Sequence, residues 1–268
     1  MVKSINIDKE RCIRCGMCIN DCFVGCLAFA EDGFPAYTEE GRDRCVGCQH
    51  CMMICPKGAL SFGDKKADNC LPIGFGNSED LLSLIRSRRS VRSYKKQDVP
   101  AEKLEQICAM LAYPPKGGNF DTLHFTIVET RAKMAEVAEK TYEEVAKLTD
   151  NPFAQFATAS WSKGVDAIYK GAPAIIVVSV DPSKVAPQCE TVDPIIALSY
   201  TELYAQSLGL GTLWDDFAVM MIKQSKPLQN MLQIPEGYEV SFVMTLGIPA
   251  VNYKRVPQKE PANITIMK

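Results

Sequence analysis

Cys12-Ile13-Arg14-Cys15-Gly16-Met17-Cys18-Ile19-Asn20-Asp21-Cys22 and Cys45-Val46-Gly47-Cys48-Gln49-His50-Cys51-Met52-Met53-Ile54-Cys55 share one spacing, C-x2-C-x2-C-x3-C. They hold eight of the chain's twelve cysteines, and each cysteine of the second run stands 33 positions after its counterpart. The repeat continues beyond them, since Gly25-Cys26-Leu27-Ala28-Phe29 lies over Gly58-Ala59-Leu60-Ser61-Phe62 at the same offset. Two copies of one small unit are implied. Three thiolates at i, i+3 and i+6 can wrap three corners of an iron-sulfur cubane if the chain turns tightly around it. The fourth cysteine is carried along a helix to the other cluster. One [4Fe-4S] cluster then takes Cys12, Cys15, Cys18 and Cys55, and the other takes Cys45, Cys48, Cys51 and Cys22.

The alternatives for these eight are structural zinc and disulfides. Zinc sites pair two C-x2-C knuckles, and a third cysteine at the same short interval is surplus to a four-ligand tetrahedron. Disulfides need an oxidising compartment, to which nothing in the sequence directs the chain. Cys26 is a tempting ninth ligand, but its repeat partner is Ala59, which favours a small packing residue. His50, between Cys48 and Cys51, is placed to tune a cluster through a hydrogen bond. Over about its first 65 residues the chain resembles the bacterial two-[4Fe-4S] ferredoxin family, with Cys55-Pro56 matching that family's ending. Phe23 stands where the first run would have proline, a residue that shapes the exit of the chain and is not a ligand.

At 268 residues the chain has room for one small and one medium domain, and its 47% hydrophobic content is ordinary for globular proteins. A net charge of -2 and the lack of a basic stretch interleaved with aromatics argue against nucleic acid as a partner. Residues 1–8 show no apolar core of a signal peptide. The longest apolar stretch, residues 172–180, is far short of the roughly 18 residues a membrane helix needs. The reading is a cytoplasmic protein with no membrane association.

Residues 63–77 carry glycine and proline without helical or alternating pattern and read as a linker in which Cys70 stands alone. Ser78, Glu79 and Asp80 read as a helix start, with Leu81, Leu82, Leu84 and Ile85 as its buried face. That helix runs into Arg86-Ser87-Arg88-Arg89-Ser90-Val91-Arg92. Four arginines and two serines in seven residues suit either a solvated face or a phosphate site. Pro100 opens a second helix with Leu104, Ile107, Cys108 and Leu111 on its core stripe. Residues 113–121 form a loop whose Gly117-Gly118-Asn119 lets backbone approach a flat ligand closely. A strand over 124–129 follows, with His124 structural. Residues 131–148 read as a polar amphipathic helix and 151–171 as a more irregular helical segment. Residues 174–180 read as a strand buried on both faces, 194–208 as a buried helix closed by Gly209, 209–214 as a tight loop, and 240–246 as a second buried strand. No GxGxxG follows a strand, so no Rossmann NAD domain is encoded.

In their order and spacing, the features of residues 79 to about 260 resemble the FMN-dependent nitroreductase family. Arg88-Arg89-Ser90-x-Arg92 is similar to its opening phosphate motif. Residues 115–125 are similar to its Pro-Ser-x-x-Asn-x-Gln-Pro-Trp loop through Pro115, Asn119 and His124-Phe125, while Lys116 replaces the serine and Asp121-Thr122-Leu123 replace Gln-Pro-Trp. Gly171-Ala172-Pro173, Gly209-Leu210-Gly211-Thr212-x-Trp214, Leu246-Gly247-Ile248-Pro249 and Arg255-x-Pro257 also fit. The resemblance implies an α+β sandwich that forms a homodimer with two FMN molecules at the subunit interface. Arg88, Arg89, Ser90, Arg92 and Arg255 would hold the phosphate and ribityl end. Pro115, Lys116, Gly117 and Asn119 would line the isoalloxazine edge, and the main chain around Leu213 and Trp214 would face the ring's other side. The expected organisation is a ferredoxin-type domain over residues 1–65, a linker over 66–78 and an FMN domain over 79–268.

A flavin accepts electrons singly and releases them in pairs, which suits it to follow iron-sulfur clusters. The expected activity is a flavin-centred oxidoreductase with no side chain assigned as a nucleophile or committed acid. Electrons would pass from ferredoxin or another one-electron donor, through the clusters and FMN, to a nitroaromatic, quinone or enone acceptor. Two alternatives stand beside it: an electron-transfer module serving a protein partner, and an NAD(P)H-dependent flavin reductase in which the clusters drain electrons outward.

Overall fold

The structure, a computed structural model, describes residues 4–268. The expected first domain begins three residues earlier, outside the described residues. The chain divides into two compact units, one ending at Phe75 and one beginning at Gly76.

The first unit is built twice. Its elements are β1 (Ile5–Ile7), α1 (Met17–Asn20), β2 (Leu27–Phe29), β3 (Pro35–Tyr37), α2 (Gly41–Arg44), α3 (His50–Met53) and β4 (Leu60–Phe62). Both α1 and α3, and β2 and β4, are displaced by the 33 residues of the cysteine repeat. The repeat therefore acts at the level of elements. Two antiparallel ribbons result, β1 with β4 and β2 with β3. Between them Cys26, Leu27, Met52, Leu60 and Phe62 form a small buried core. So small a core leaves little apolar stabilisation to hold the unit by itself.

The second unit continues with α4 (Ser78–Ser87), α5 (Ala101–Met110), β5 (Leu123–Val128), α6 (Arg131–Val145), α7 (Pro152–Trp161), β6 (Ala174–Val180), α8 (Cys189–Ser207), β7 (Gly211–Trp214), α9 (Asp216–Gln224), α10 (Lys226–Met231) and β8 (Glu239–Gly247). Its strands form one antiparallel sheet in the order β5-β6-β8-β7. All seven residues of β6 are buried. Alternation divides them between two cores: Ile175 and Val177 pack with α6, α7, α9 and α10, while Ala174, Ile176 and Val178 pack with α5 and α8. Burying each Ile or Val contributes about 1.5–3 kcal/mol, which makes β6 the centre of the domain.

Several local expectations change. The α4 cap is Asn77, whose side chain accepts from the N–H groups of Glu79 and Asp80, so Ser78 is already helical. No residue of α4 is buried: Leu84 is half-buried, and Leu81, Leu82 and Ile85 are exposed. Cys108 is exposed because the α5 stripe facing the sheet is carried by Leu104 and Ile107, a quarter turn away. Helix α8 starts at Cys189, so Pro194 lies inside it. It is buried on one side only. Residues 211–214 form the edge strand β7, paired with β8, where a tight loop was expected.

Candidate functional site

The chain reverses within each cysteine run at equivalent positions, Gly16 and Gln49, which take φ values of 73° and 64°. These turns bring Cys12, Cys15, Cys18 and Cys55 to the wall of one hollow, beside Pro35 and Lys57. Cys22, Cys45, Cys48 and Cys51 reach the wall of a second, beside Tyr37 and His50. Each set takes three cysteines from one run and one from the other. Both carry-over cysteines accept a backbone hydrogen bond, Cys22 Sγ from Cys26 N and Cys55 Sγ from Ala59 N, each at 3.3 Å. Cys45 Sγ accepts from Gly47 N at 3.4 Å and from the Tyr37 hydroxyl at 3.6 Å.

This donor set fits a polynuclear cluster. Four cysteine sulfurs wall each hollow, the all-thiolate set that a [4Fe-4S] cluster takes. Burial pushes the Cys51 thiol up to about 12, so it binds as a thiolate only where a metal takes up its charge. Cys26 is 2% exposed and also borders the second hollow, with burial pushing its thiol up to about 11. His50 Nδ1 meets Asp21 Oδ2 at 3.2 Å, where a hydrogen bond to a cluster was expected.

The residues expected around a flavin fall into two groups. In the first, the segment after α4 is clipped to β7: Ser90 bridges Thr212, and Val91 N donates to Thr212 O at 2.8 Å. The approach is close enough that a Cβ on Gly211 would lie 2.5 Å from Val91 Cγ2. Arg88, Arg89, Ser90 and Arg92 thereby come beside Leu213 and Trp214. Glu202 of α8 orients the group, meeting Arg88 Nη1 at 3.1 Å and Thr212 Oγ1 at 3.5 Å. Arg89 donates to the carbonyls of Arg88 and Arg86, and Arg92 to that of Ser90.

In the second group, the loop carrying Pro115, Lys116, Gly117 and Asn119 meets the start of α8 through Gly117. Gly117 N donates to both carboxylate oxygens of Asp193, at 3.1 and 3.0 Å. A Cβ on Gly117 would collide with the Cys189 sulfur, so this position needs glycine. Lys116 pairs with Asp121 at 2.8 Å. Arg255 lies apart, in the exposed segment after β8, and among the described residues it has no hydrogen-bond or ion-pair partner.

Asp193 and Glu202, the two anchors, are nine residues apart on α8. In a regular helix that is about 14 Å along the axis and about 180° around it. The groups therefore leave α8 on opposite margins of its buried face. One chain presents two separated halves of the expected lining. Neither anchor was legible in the sequence, because a single acidic residue on a helix gives no signal of its distant partner.

Residues 85–248, more than half of the chain, match the nitroreductase family. The chain belongs to that family. Residues 6–65 match the 4Fe-4S dicluster domain. A nitroreductase with bound FMN from Bacteroides fragilis is 26% identical, with a TM-score of 0.61 over 72% of this chain and 100% of that one. A nitroreductase with bound FMN from Desulfitobacterium hafniense, at 23% identity and a TM-score of 0.58 over 70% of this chain and 98% of that one, shares the fold. A Methanothermobacter thermautotrophicus protein named as an NADH dehydrogenase/NAD(P)H nitroreductase is 28% identical over 174 residues, 65% of this chain and 79% of that one.

In this nitroreductase, α8 has a second apolar stripe, and it is exposed. Val192, Ile195 and Tyr200 are exposed on it, as are Leu81 and Ile85 on neighbouring α4. A groove of about 490 Å³ runs between these helices and Met110 of α5. The stripe lies between the two margins from which the half-sites depart. No helix among the described residues is long and apolar enough to cross a membrane.

Proposed function

We propose that this nitroreductase draws single electrons through two [4Fe-4S] clusters into FMN and delivers them to a nitroaromatic, quinone or enone acceptor. The observation that carries the reading is the pair of hollows, each walled by three cysteines of one run and one of the other, in a chain whose larger part is a nitroreductase. Bound FMN would supply the exchange between one-electron and two-electron chemistry. The chain's own residues supply binding and orientation. Arg88, Arg89, Ser90 and Arg92 offer guanidinium and hydroxyl donors to a phosphate, with Arg88 held in place by Glu202. Arg255 is proposed to join them. Gly117 and its neighbours present backbone to the ring edge, a geometry maintained by Asp193.

The reading includes a homodimer. The phosphate group and the ring-edge loop depart from opposite margins of α8, and the exposed apolar stripe between them is where a second copy would pack. A partner docked there could complete each site with the half it lacks, which supports two FMN per dimer.

The test is donor preference of the intact holoprotein under anaerobic conditions. A reduced ferredoxin-type protein should bleach the flavin faster than NADH or NADPH does. A second reading, in which a nicotinamide delivers hydride to FMN and the clusters carry electrons outward, draws on the name borne by the Methanothermobacter relative. Faster bleaching by NAD(P)H than by the one-electron donor would favour it and overturn the first.

A further inference from the structure

The two cluster sites are related by the repeat, so what differs between them identifies the residues that make them unequal. Strand register extends the comparison beyond the cysteines. Leu27 of β2 faces Tyr37 of β3, and Leu60, its counterpart 33 positions on, faces Ile7 of β1. Tyr37 and Ile7 thus occupy equivalent places. Ile7 has no polar side-chain atom, whereas the Tyr37 hydroxyl donates to Cys45 Sγ at 3.6 Å and the side chain lines that hollow.

We propose that Tyr37 is the tuning residue of the pair: its hydroxyl, bonded to the Cys45 sulfur, raises the reduction potential of the cluster held by Cys22, Cys45, Cys48 and Cys51 and tilts the electron's partition toward it. The inference rests on the cluster reading above. Reduction by one electron from an external one-electron donor adds negative charge that the ligating sulfurs share. An O–H dipole aimed at one of them therefore stabilises the reduced state more than the oxidised one. No atom or proton moves; only the electron's partition changes.

Other differences between the hollows do not cancel this effect. The backbone bonds from Cys26 to Cys22 and from Ala59 to Cys55 are equivalent and equal in length. The Gly47 N–H bond to Cys45 acts in the same sense as Tyr37. Lys57 stands in the first wall where Val24 stands in the second, and its positive charge would favour the first cluster. That lysine is exposed and acts through solvent that screens it, whereas the tyrosine is half-buried and bonded to a ligand. His50, where the first wall has Met17, is exposed and meets Asp21.

The experiment is a redox titration of the full-length anaerobic holoprotein, followed by electron paramagnetic resonance. Tyr37→Phe should lower one midpoint and leave the other, changing the electron's partition between clusters about tenfold, or about 59 mV for a one-electron couple. Replacing the nine tyrosines with 3-fluorotyrosine, a stronger donor, should move the same midpoint upward. Two unchanged midpoints in an iron-replete Tyr37→Phe protein, or equal shifts of both, would overturn the proposal. If that variant loses iron, the fluorotyrosine protein decides, and an unmoved pair of midpoints overturns the proposal. Unaltered protein without two [4Fe-4S] signals would instead overturn the cluster reading, an outcome distinct from two signals that ignore Tyr37.

Discussion

Asp215 is 6% exposed and caps α9, its Oδ1 accepting from Ala218 N at 3.0 Å. Its other oxygen is buried with no hydrogen-bond partner among the described residues, and burial pushes the carboxyl up to about 6 from 3.8. A carboxyl whose value rises on folding costs stability wherever it must ionise. Its neutral form is fully accommodated below about pH 4, and the loss grows as pH rises through about 6, reaching of the order of 3 kcal/mol. Asp215→Asn keeps an oxygen for the cap and removes the titration. Thermal unfolding at pH 5, 6.5 and 8 should show the native protein losing this contribution with rising pH and the Asn variant lacking that part of the slope. Parallel pH profiles would show that the carboxyl ionises in the folded protein as readily as in the unfolded chain, and so has a partner for its charge.

At the scale of elements, α8 is the part of the domain with the most claims on it. One face packs on the sheet through Ala197, Leu198 and Ala205, its two margins hold Asp193 and Glu202, and the remaining stripe is apolar and exposed. An apolar stripe opposite the buried face is where a second surface would pack. Ile195→Glu combined with Tyr200→Glu would place carboxylates in the proposed dimer interface, where desolvation costs several kcal/mol. Light scattering should then report about half the native mass, and FMN should be lost together with the dimer. A double variant that keeps both mass and flavin would place the interface elsewhere.

At the scale of the whole molecule, two cubanes predict about eight iron and eight acid-labile sulfide per chain. Cys55→Ser should remove about half the iron, because Cys55 alone crosses from the second run to the first hollow. Cys26→Ala should leave iron content intact, since its repeat counterpart Ala59 fills the equivalent place without sulfur. Iron assay of anaerobically purified proteins checks both. Stoichiometric zinc without sulfide, or iron lost with Cys26, would refute the assignment.

The sequence by itself determined what depends on short spacing. The two cysteine runs, the 33-residue repeat, the mostly apolar β6 and the Arg88–Arg92 segment are local patterns, and near neighbours in the chain are constrained to be near neighbours in space. Tertiary structure alone decided the pairings across long separations. Arg88 meets Glu202 across 114 residues and Gly117 meets Asp193 across 76. Even over a separation of 8, Tyr37 reaches the Cys45 sulfur only because a hairpin turns it inward. It also made a strand of residues 211–214, because β8 offered its free edge. The apolar residues of α4 look like any buried stripe in one dimension. Whether they face this chain's core or another surface depends on how many helices the sheet can cover, and here that place is taken by α5 and α8.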